Sequence, residues 1–519
     1  MVPFGSAAFL KEIQNCALPY RGNTQPIQEL LTALQRSPLK CRTVIFEPEY
    51  VDKDYQDEHS AFYSRSFKKY GPRATRLHFF STKFTDKEIQ TLVTAIPSDT
   101  YLGFLVLRPT DFQRVGRTIL RPTLKDPDRE FVHCLAAYES HILGQKFTVK
   151  AMPFIQQDTQ VGACAQASLW MVARYVSRRY GYREYLPSEI NQFAKAHDGG
   201  GRKLPAERGL TWKQMLDAME GMGLYALSYS INQIDDCSTH IDAAFPEHRS
   251  LTAEKKTKHR AFVRSVKLAD IAYRYIESGL PVIFGTHNHA LVGIGHTYNH
   301  IRSAKVAIQR IPAFITHNDA SRPYGTMPMV ASTKSELPFS EVEDIIAIVP
   351  VEVTLSGEAA ELMARTVVER FIRLKTHDSD VPTYGDLIRR LRPEFRKWLN
   401  KLEYRTFLMP SVDFQEKIRR DIQGRGFNAI VGKELIELDY PKFVWVTEIS
   451  TEVLLDFAKR QDRTCLGRVI IDSTAPTHTN GEMAVHFCDF LGLFDRQTGK
   501  GLRWSHFMES TPFGHQIAL

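Results

Sequence analysis

The sequence lacks any apolar run close to the roughly 20 residues that a helix needs to cross a bilayer. Between Met1 and Leu18 it also lacks the basic stretch followed by an apolar core that marks a secretory signal. Its seven cysteines are few for 519 residues, and no two form a C-x-x-C pair, which argues against a disulfide scaffold and a structural zinc site. These absences predict a soluble, cytoplasmic protein with no membrane span.

A strong excess of one charge is also missing. The chain has 67 basic and 59 acidic residues, for a formal net charge of +8, and 43% of its residues are hydrophobic. Two short basic runs, Arg65 to Arg73 and Lys255 to Arg260, are typical of solvated faces. The first contains only Phe67 and Tyr70 as aromatic residues, and neither run has the repeated interleaved aromatic pattern of a base-stacking surface. We therefore do not expect nucleic acid as a partner.

The length of the chain predicts about three domains. We expect an α+β amino-terminal domain over 1–148, a central domain over 149–352 and an α/β or α+β carboxy-terminal domain over 353–519. The polar stretch 232–260 reads as a surface insertion in the central domain. Apolar periodicity predicts helices at 27–34, 212–222, 268–278 and 358–374, and strands at 101–107, 117–120 and 282–285, with further strands at 404–410, 442–450 and 467–475.

The chemistry-bearing pattern begins at Cys164, within the sequence QVGACAQASLWMV of residues 160–172. Apolar residues then recur at helical spacing, at Ala165, Leu169, Val172 and Val176, which predicts a helix that begins at the cysteine. A helix amino terminus lowers the pKa of a thiol, and the thiolate is the nucleophilic form. Cys164 is therefore a candidate nucleophile, although a small buried structural cysteine fits the same position.

A histidine opens a glycine-spaced apolar stretch at 288–295, with sequence NHALVGIG. Alternation places His289 and Leu291 on one face of a strand and Ala290, Val292 and Ile294 on the other, which we expect to be the core face. The first face has only glycine beyond Leu291, which leaves space beside the imidazole. His289 is therefore a candidate base, the alternative being a structural histidine at a strand end.

Polar residues that could complete such a site lie on both sides of these two. Asn318 and Asp319 follow the apolar run FITH, where either side chain could accept the N–H of the imidazole, although Asn-Asp is also ordinary turn chemistry. Gln156, Gln157 and Gln160 precede the cysteine and could donate to an oxyanion, with Gln157 preferred.

These segments resemble the papain-like superfamily of cysteine hydrolases. Gly162 to Ser168 (GACAQAS) resembles the cysteine block of papain, and SGLPVIFGT, NHALVGIG and HNDASRPYG resemble the peptidase C39-like branch, over roughly 153–350. The resemblance implies an α+β core in which the cysteine helix packs on an antiparallel sheet. It implies that Cys164 is the nucleophile and His289 the base, with Asp319 orienting the imidazole, or Asn318 if the papain pattern applies.

The chain departs from that family at three places. Asp158 stands where the family has its oxyanion glutamine, Ala165 stands where tryptophan or glycine is usual after the cysteine, and the step from His289 to Asp319 is longer than usual. The oxyanion donor is therefore open between Gln157 and Gln160.

The resemblance implies a hydrolase that cleaves a peptide or isopeptide bond in a protein or peptide through a thioester, without a cofactor or metal. A transglutaminase, which passes the acyl group to an amine, or an amidase, which hydrolyses an amide, would use the same triad. A non-catalytic interaction protein could keep the same scaffold. A metal site is a further alternative, and its candidate ligands would be His287, His289, His296, His300 and His317.

Overall fold

The chain contains two compact units, which are described separately. The computed structural model describes residues 2–6, 8–9, 11, 25–36, 38–84, 96–111, 114–157, 164–195, 209–234, 252–299, 307–333, 336–373, 402–425, 429–451, 465–476, 481–487, 490–494 and 502–506. The first unit comprises Met1–Asn232, Leu280–His296 and Ala313–Ile348, and the second comprises Gln233–Gly279, Thr297–Pro312 and Val349–Leu519. Over the described residues, no helix is both long enough and apolar enough to span a membrane.

An antiparallel five-stranded sheet, in the order β1-β2-β3-β4-β5, forms one part of the first unit. Its strands and the two helices between them are β1 (Val2–Pro3), α1 (Gln25–Gln35), β2 (Thr43–Tyr50), α2 (Lys53–Ala61), β3 (Ala74–Phe80), β4 (Tyr101–Leu107) and β5 (Val115–Leu120). Helix α2 begins where the Asp52 side chain accepts the Tyr55 N–H at 3.1 Å. The run YLGFLVL of β4 is buried throughout because both faces of the sheet are covered.

The second sheet of this unit carries the segments singled out in the sequence. Its strand order is β13-β12-β11-β10-β14-β9, and β6 pairs with β11. The elements from β6 onward are β6 (Glu130–Val132), β7 (Ala136–Ile142), β8 (Gln145–Ala151), α3 (Cys164–Tyr180), α4 (Pro187–Phe193), α5 (Trp212–Gly221) and β9 (Tyr225–Ser230). After helix α6 (Ala253–Glu277) come β10 (Val282–Thr286), β11 (Ala290–Thr297), β12 (Ala313–His317), β13 (Gly325–Pro328) and β14 (Val342–Val349).

Helix α3 packs on this second sheet through one continuous apolar core. That core contains Leu169 and Val172 of the helix together with Ala290, Val292 and Ile294 of β11, as expected for the core face of that strand. The helix is buried from Ala165 to Ser177 on all sides rather than along one stripe, because β7, α4 and α5 cover its remaining faces. The other face of β11 is buried as well, since Leu291 is 1% exposed. At its far end this face is covered by β6, since a Cβ at Gly295 would lie 2.1 Å from the Phe131 carbonyl oxygen. The space expected beside the His289 imidazole stays a prediction.

The second unit contains an antiparallel six-stranded sheet in the order β15-β16-β17-β18-β19-β20. Its elements are α6 (Ala253–Glu277), α7 (Gly357–Arg373), β15 (Leu402–Pro410), α8 (Ser411–Arg425), α9 (Ala429–Glu437), β16 (Phe443–Thr451), β17 (Gly467–Asp472), β18 (Glu482–Phe487), β19 (Phe490–Phe494) and β20 (Leu502–His506). Phe414 and Ile418 of α8 pack on Val446 and Ile470 of the sheet.

The α+β fold class with antiparallel sheets is confirmed, and most expected helices and strands are present. One expectation is wrong: residues 253–260 belong to helix α6, which begins at Ala253 and not near Leu268, so they are not part of a surface loop. Of the rest of the expected insertion, residues 232–234 and 252 are described, and residues 235–251 lie outside the described residues. Contacts join the amino-terminal sheet to the Cys164 region in one unit. The division into domains 1–148, 149–352 and 353–519 stays a prediction, as does the cytoplasmic location.

Candidate active site

Cys164 is the first residue of helix α3 and is half-buried. The other cysteines that the structure describes, Cys41, Cys134 and Cys465, are buried. The Cys164 Sγ accepts the backbone N–H of Ala290 at 3.4 Å. The thiol therefore lies beside the start of β11, next in sequence to His289.

The pKa of the Cys164 thiol is raised above its ordinary value. Burial is the largest cause, and repulsion by the carboxylate of Asp319 adds to it, while the backbone N–H groups of Ala290, Ala165 and Cys164 act in the opposite direction. The helix amino terminus led us to expect a lowered pKa, and this expectation is wrong because desolvation outweighs the backbone dipoles. In the resting site Cys164 is consequently a thiol, and a base is needed to form the thiolate.

His289 lies in the tight turn that joins β10 to β11, one residue before β11 begins. Its backbone carbonyl accepts the Thr286 N–H at 2.8 Å and the Thr286 hydroxyl at 3.2 Å. The imidazole is 20% exposed. The turn is thus closed by two hydrogen bonds to a single carbonyl, which leaves the His289 side chain accessible from solvent.

Asn318, directly after β12, determines the tautomer of His289. The Asn318 Oδ1 lies 2.9 Å from the His289 Nε2 and also accepts the backbone N–H of Ala320 at 3.0 Å. Because the Ala320 N–H fixes which end of the amide is the oxygen, Nε2 must be the donor. A neutral His289 then has its lone pair at Nδ1, the nitrogen that can take a proton.

Asp319 approaches the same ring nitrogen from a more buried position. Its Oδ1 lies 3.6 Å from the His289 Nε2, and its side chain is 0% exposed. Neither carboxylate oxygen has a hydrogen-bond partner within the described part of the chain. Burial raises the pKa of Asp319 to about 6, against the attraction of His289. Both candidates for orienting the imidazole therefore lie close to it. Asn318 interacts with it through a hydrogen bond and Asp319 through its charge.

Two supporting side chains have no clear signal in the sequence. Ser168, one turn after Cys164, donates its hydroxyl to the Ala290 carbonyl at 3.3 Å, so Ala290 contacts the helix at two points. His317 is fully buried and donates from Nδ1 to the Pro153 carbonyl at 3.2 Å. These contacts tie α3 to β11, and the end of β12 to the segment that precedes Cys164. In the sequence, Ser168 and His317 belong to no pattern that predicts these hydrogen bonds.

The expected oxyanion donors are only partly within the described residues. Gln156 is buried, and its Oε1 accepts the Val115 N–H at 3.3 Å, which gives this side chain a role in joining its segment to β5. Gln157 is half-buried and ends the described segment, while Gln160 lies outside the described residues. The assignment of Gln157 or Gln160 as an oxyanion donor stays a prediction.

The five histidines of the alternative metal site do not lie together where the structure describes them. His287 is exposed in the β10–β11 turn, His317 is buried at the end of β12, and His300 is outside the described residues. Burial lowers the pKa of His317 to about 3, so it is neutral. Among the described residues, no group of three metal-binding side chains includes His287, His289 or His317.

Residues from a helix start, a hairpin turn and a strand end thus converge in the first unit. They are Cys164, His289, Asn318 and Asp319, and all four sequence candidates for the triad belong to this cluster. The chain matches no family model, no curated protein and no solved structure.

Proposed function

We propose that the chain is a cysteine hydrolase that cleaves a peptide or isopeptide bond in a protein or peptide, on a core similar to the papain-like superfamily. One observation carries the proposal: a half-buried thiol at a helix start lies against the residue that follows a histidine, and the Nε2 of that histidine is held by Asn318 beside Asp319. Nucleophile, base and orienting groups are the components that acyl transfer requires. No cofactor is needed for this chemistry.

The first half-reaction begins when the Nδ1 of His289 takes the proton of the Cys164 thiol. The sulfur attacks the carbonyl carbon of the substrate, the carbon–nitrogen bond breaks, and His289 returns the proton to the leaving amine. A thioester on Cys164 remains. As His289 becomes an imidazolium, Asn318 keeps the ring in place, and the Asp319 carboxylate at 3.6 Å stabilises its charge.

In the second half-reaction a water molecule gives one proton to His289 and attacks the thioester carbon. The carbon–sulfur bond then breaks, the product carboxylic acid leaves, and the proton on His289 returns to the sulfur. The backbone N–H of Ala290, at 3.4 Å from Sγ, stabilises the thiolate each time it forms. This contact partly offsets the burial that raises the pKa of Cys164.

The proposal predicts that an electrophilic vinyl sulfone or amide probe labels Cys164 faster than any other cysteine in the folded chain. Cys164→Ser should abolish this labelling. His289→Ala should slow it on the order of 100-fold, as for the loss of a general base. His287→Ala is a matched control, because His287 lies two residues away in the same turn and is exposed. Peptide mapping by mass spectrometry measures the rates, and equal rates in the two histidine variants would contradict the proposed base.

A non-catalytic role on the same scaffold is the second candidate, and the raised pKa of Cys164 is the observation that favours it. In that case Cys164 would react no faster than an ordinary half-buried thiol, and its labelling rate would not change in His289→Ala.

Adding a primary amine acceptor to a reaction with a peptide substrate separates hydrolysis from acyl transfer, since a transferase would yield the amide of that amine.

A further inference from the structure

Two histidines of the first unit face each other at the end of β11 that is remote from Cys164. The Nε2 atoms of His133 and His296 are 3.3 Å apart, and their rings are nearly parallel, with 25° between the planes. His296 is 2% exposed and His133 is half-buried. Neither side chain belongs to the candidate active site.

The backbone holds these two imidazoles in place. Strand β6 pairs with β11, and the N–H groups of His133 and Cys134 both donate to the Ile294 carbonyl, at 3.1 and 3.2 Å. The chains approach so closely that a Cβ at Gly295 would lie 2.1 Å from the Phe131 carbonyl oxygen, so only glycine fits there. The ring of Phe131 also packs edge-on against His296 at 5.5 Å. The pairing of β6 with β11 therefore holds the two histidines together, and their contact is not a chance contact of flexible side chains.

The distance between the two nitrogens indicates which metal ion they could bind. Zinc binds imidazole nitrogen at about 2.0–2.1 Å, so two such ligands at the tetrahedral angle lie about 3.3–3.4 Å apart. Adjacent ligands of a square-planar ion at similar bond lengths would lie only about 2.8–3.0 Å apart. The observed 3.3 Å fits the tetrahedral case.

We propose that His133 and His296 form a binding site for a tetrahedral divalent transition-metal ion, zinc being the best fit. The two imidazoles supply two of its ligands through Nε2. His296 is six residues from Ala290 along β11, which corresponds to about 20 Å of extended strand. The ion is therefore separate from the thiol chemistry, and its effect is to fasten β6 to β11.

Metal titration tests this site in the full chain. The Cys164→Ser form should be used throughout, because it removes the one described cysteine that is not buried. Equilibrium dialysis against zinc chloride should give one bound ion per chain, and His133→Ala should reduce this to none. His287→Ala, which removes an exposed histidine elsewhere in the unit, should leave the stoichiometry at one.

Cobalt(II) provides a second measurement that depends on geometry. A tetrahedral Co²⁺ ion absorbs visible light far more strongly than an octahedral one, so titration of the Cys164→Ser chain should produce an intense band that is missing in His133→Ala. Zinc should also raise the melting temperature of the His287→Ala control and not that of His133→Ala. Unchanged zinc stoichiometry in His133→Ala, or no zinc bound by the control, would overturn the proposal and leave a hydrogen-bonded histidine pair.

Discussion

At the scale of single residues, Asn318 and Asp319 act on the same nitrogen of His289 in different ways. Asn318 makes the hydrogen bond at 2.9 Å, and Asp319 provides a negative charge at 3.6 Å without accepting a hydrogen bond from a described residue. The same charge also raises the pKa of Cys164 by repulsion. Because Asp319 lies at ion-pair distance from the imidazole, we expect stabilisation of the imidazolium to outweigh repulsion of the thiolate.

This balance predicts that Asp319→Asn lowers the labelling rate of Cys164 at pH 7.5 by on the order of 10- to 100-fold. The unsubstituted chain should gain reactivity as pH rises through about 6, where Asp319 loses its proton, and the variant should lack that step. Asn318→Ala should slow labelling at every pH while keeping the step. Rates measured from pH 5 to 9 test this, and faster labelling of Asp319→Asn would mean that repulsion of the thiolate dominates.

The identities of the site residues were accessible from the sequence, but their electrostatics were not. Cys164 and His289 each stand next to a recognisable periodic element, and Asn318-Asp319 follows an apolar run, so their order could be read directly. The pKa of Cys164 depends instead on how deeply the surrounding chain buries it, and that is a property of the tertiary fold. The local sequence pattern predicts the helix end, which lowers the pKa of the thiol. It does not predict the desolvation, which raises that pKa by more.

At the scale of secondary structure, the β10–β11 hairpin determines where His289 lies. Gly285 pairs with Ala290 across the hairpin, and the ring of Trp212 packs directly against Gly285. The Nε1 of Trp212 donates to the Ser228 hydroxyl at 2.8 Å, which holds the ring there. The position of His289, the proposed base, thus depends on a helix residue, Trp212, that is distant from it in sequence.

Gly285→Ala is therefore expected to displace either the hairpin or the ring, because its Cβ would lie 2.7 Å from Trp212. Such overpacking costs about 1–3 kcal/mol, and a shift of the hairpin moves His289 relative to Cys164, so labelling of Cys164 should slow. Gly325→Ala is the matched control: it lies on β13 of the same sheet, and its nearest neighbour would be at 3.8 Å, an ordinary contact. Equal labelling rates in both variants would show that the packing of Trp212 does not position the base.

The elements themselves were largely predictable, and the two exceptions each have a local cause. Strand β4 spans its predicted apolar run, and helix α3 begins at Cys164 as predicted, although it is buried on all sides and not along one stripe. Helix α6 begins at Ala253, just before the basic run 255–260, because charged residues with good helix propensity extend a helix without adding to its apolar pattern. Likewise β11 begins at Ala290 because the closure of the turn at His289 takes that residue out of the strand.

At the scale of the whole molecule, two buried titrating groups beside the site oppose each other in the pH dependence of stability. Burial raises the pKa of Asp319 to about 6, so the folded state binds this proton more tightly than the unfolded state does. The stability gained in this way is lost as the pH rises from the ordinary pKa of an aspartate towards 6. Burial lowers the pKa of His317 to about 3, so His317 stays neutral in the folded state while it takes up a proton in the unfolded state. The folded state therefore loses stability as the pH falls below 6.5. Between pH 4 and 6 these contributions have opposite slopes and partly cancel in the unsubstituted chain.

Single substitutions should remove this cancellation. Asp319→Asn is expected to stabilise the first unit by about 3 kcal/mol at pH 7.5 and by less than about 1 kcal/mol at pH 4, because protonated Asp319 already resembles the amide. His317→Gln loses the packing of the ring, but relative to the unsubstituted chain it should recover about 2 kcal/mol when pH falls from 7.5 to 5. The sign of the pH dependence, not the absolute stability, distinguishes the two.

Cys134 provides the measurement for this prediction, because it is fully buried in the first unit and becomes reactive only when that region opens. Its labelling rate in mild urea, compared between variant and unsubstituted chain at the same pH, gives the change in opening free energy, since the reactivity of the exposed thiol cancels. We expect Cys134 to be protected most strongly, relative to the unsubstituted chain, at high pH in Asp319→Asn and at low pH in His317→Gln. A pH-independent difference in either variant would mean that the residue in question does not titrate as its burial requires.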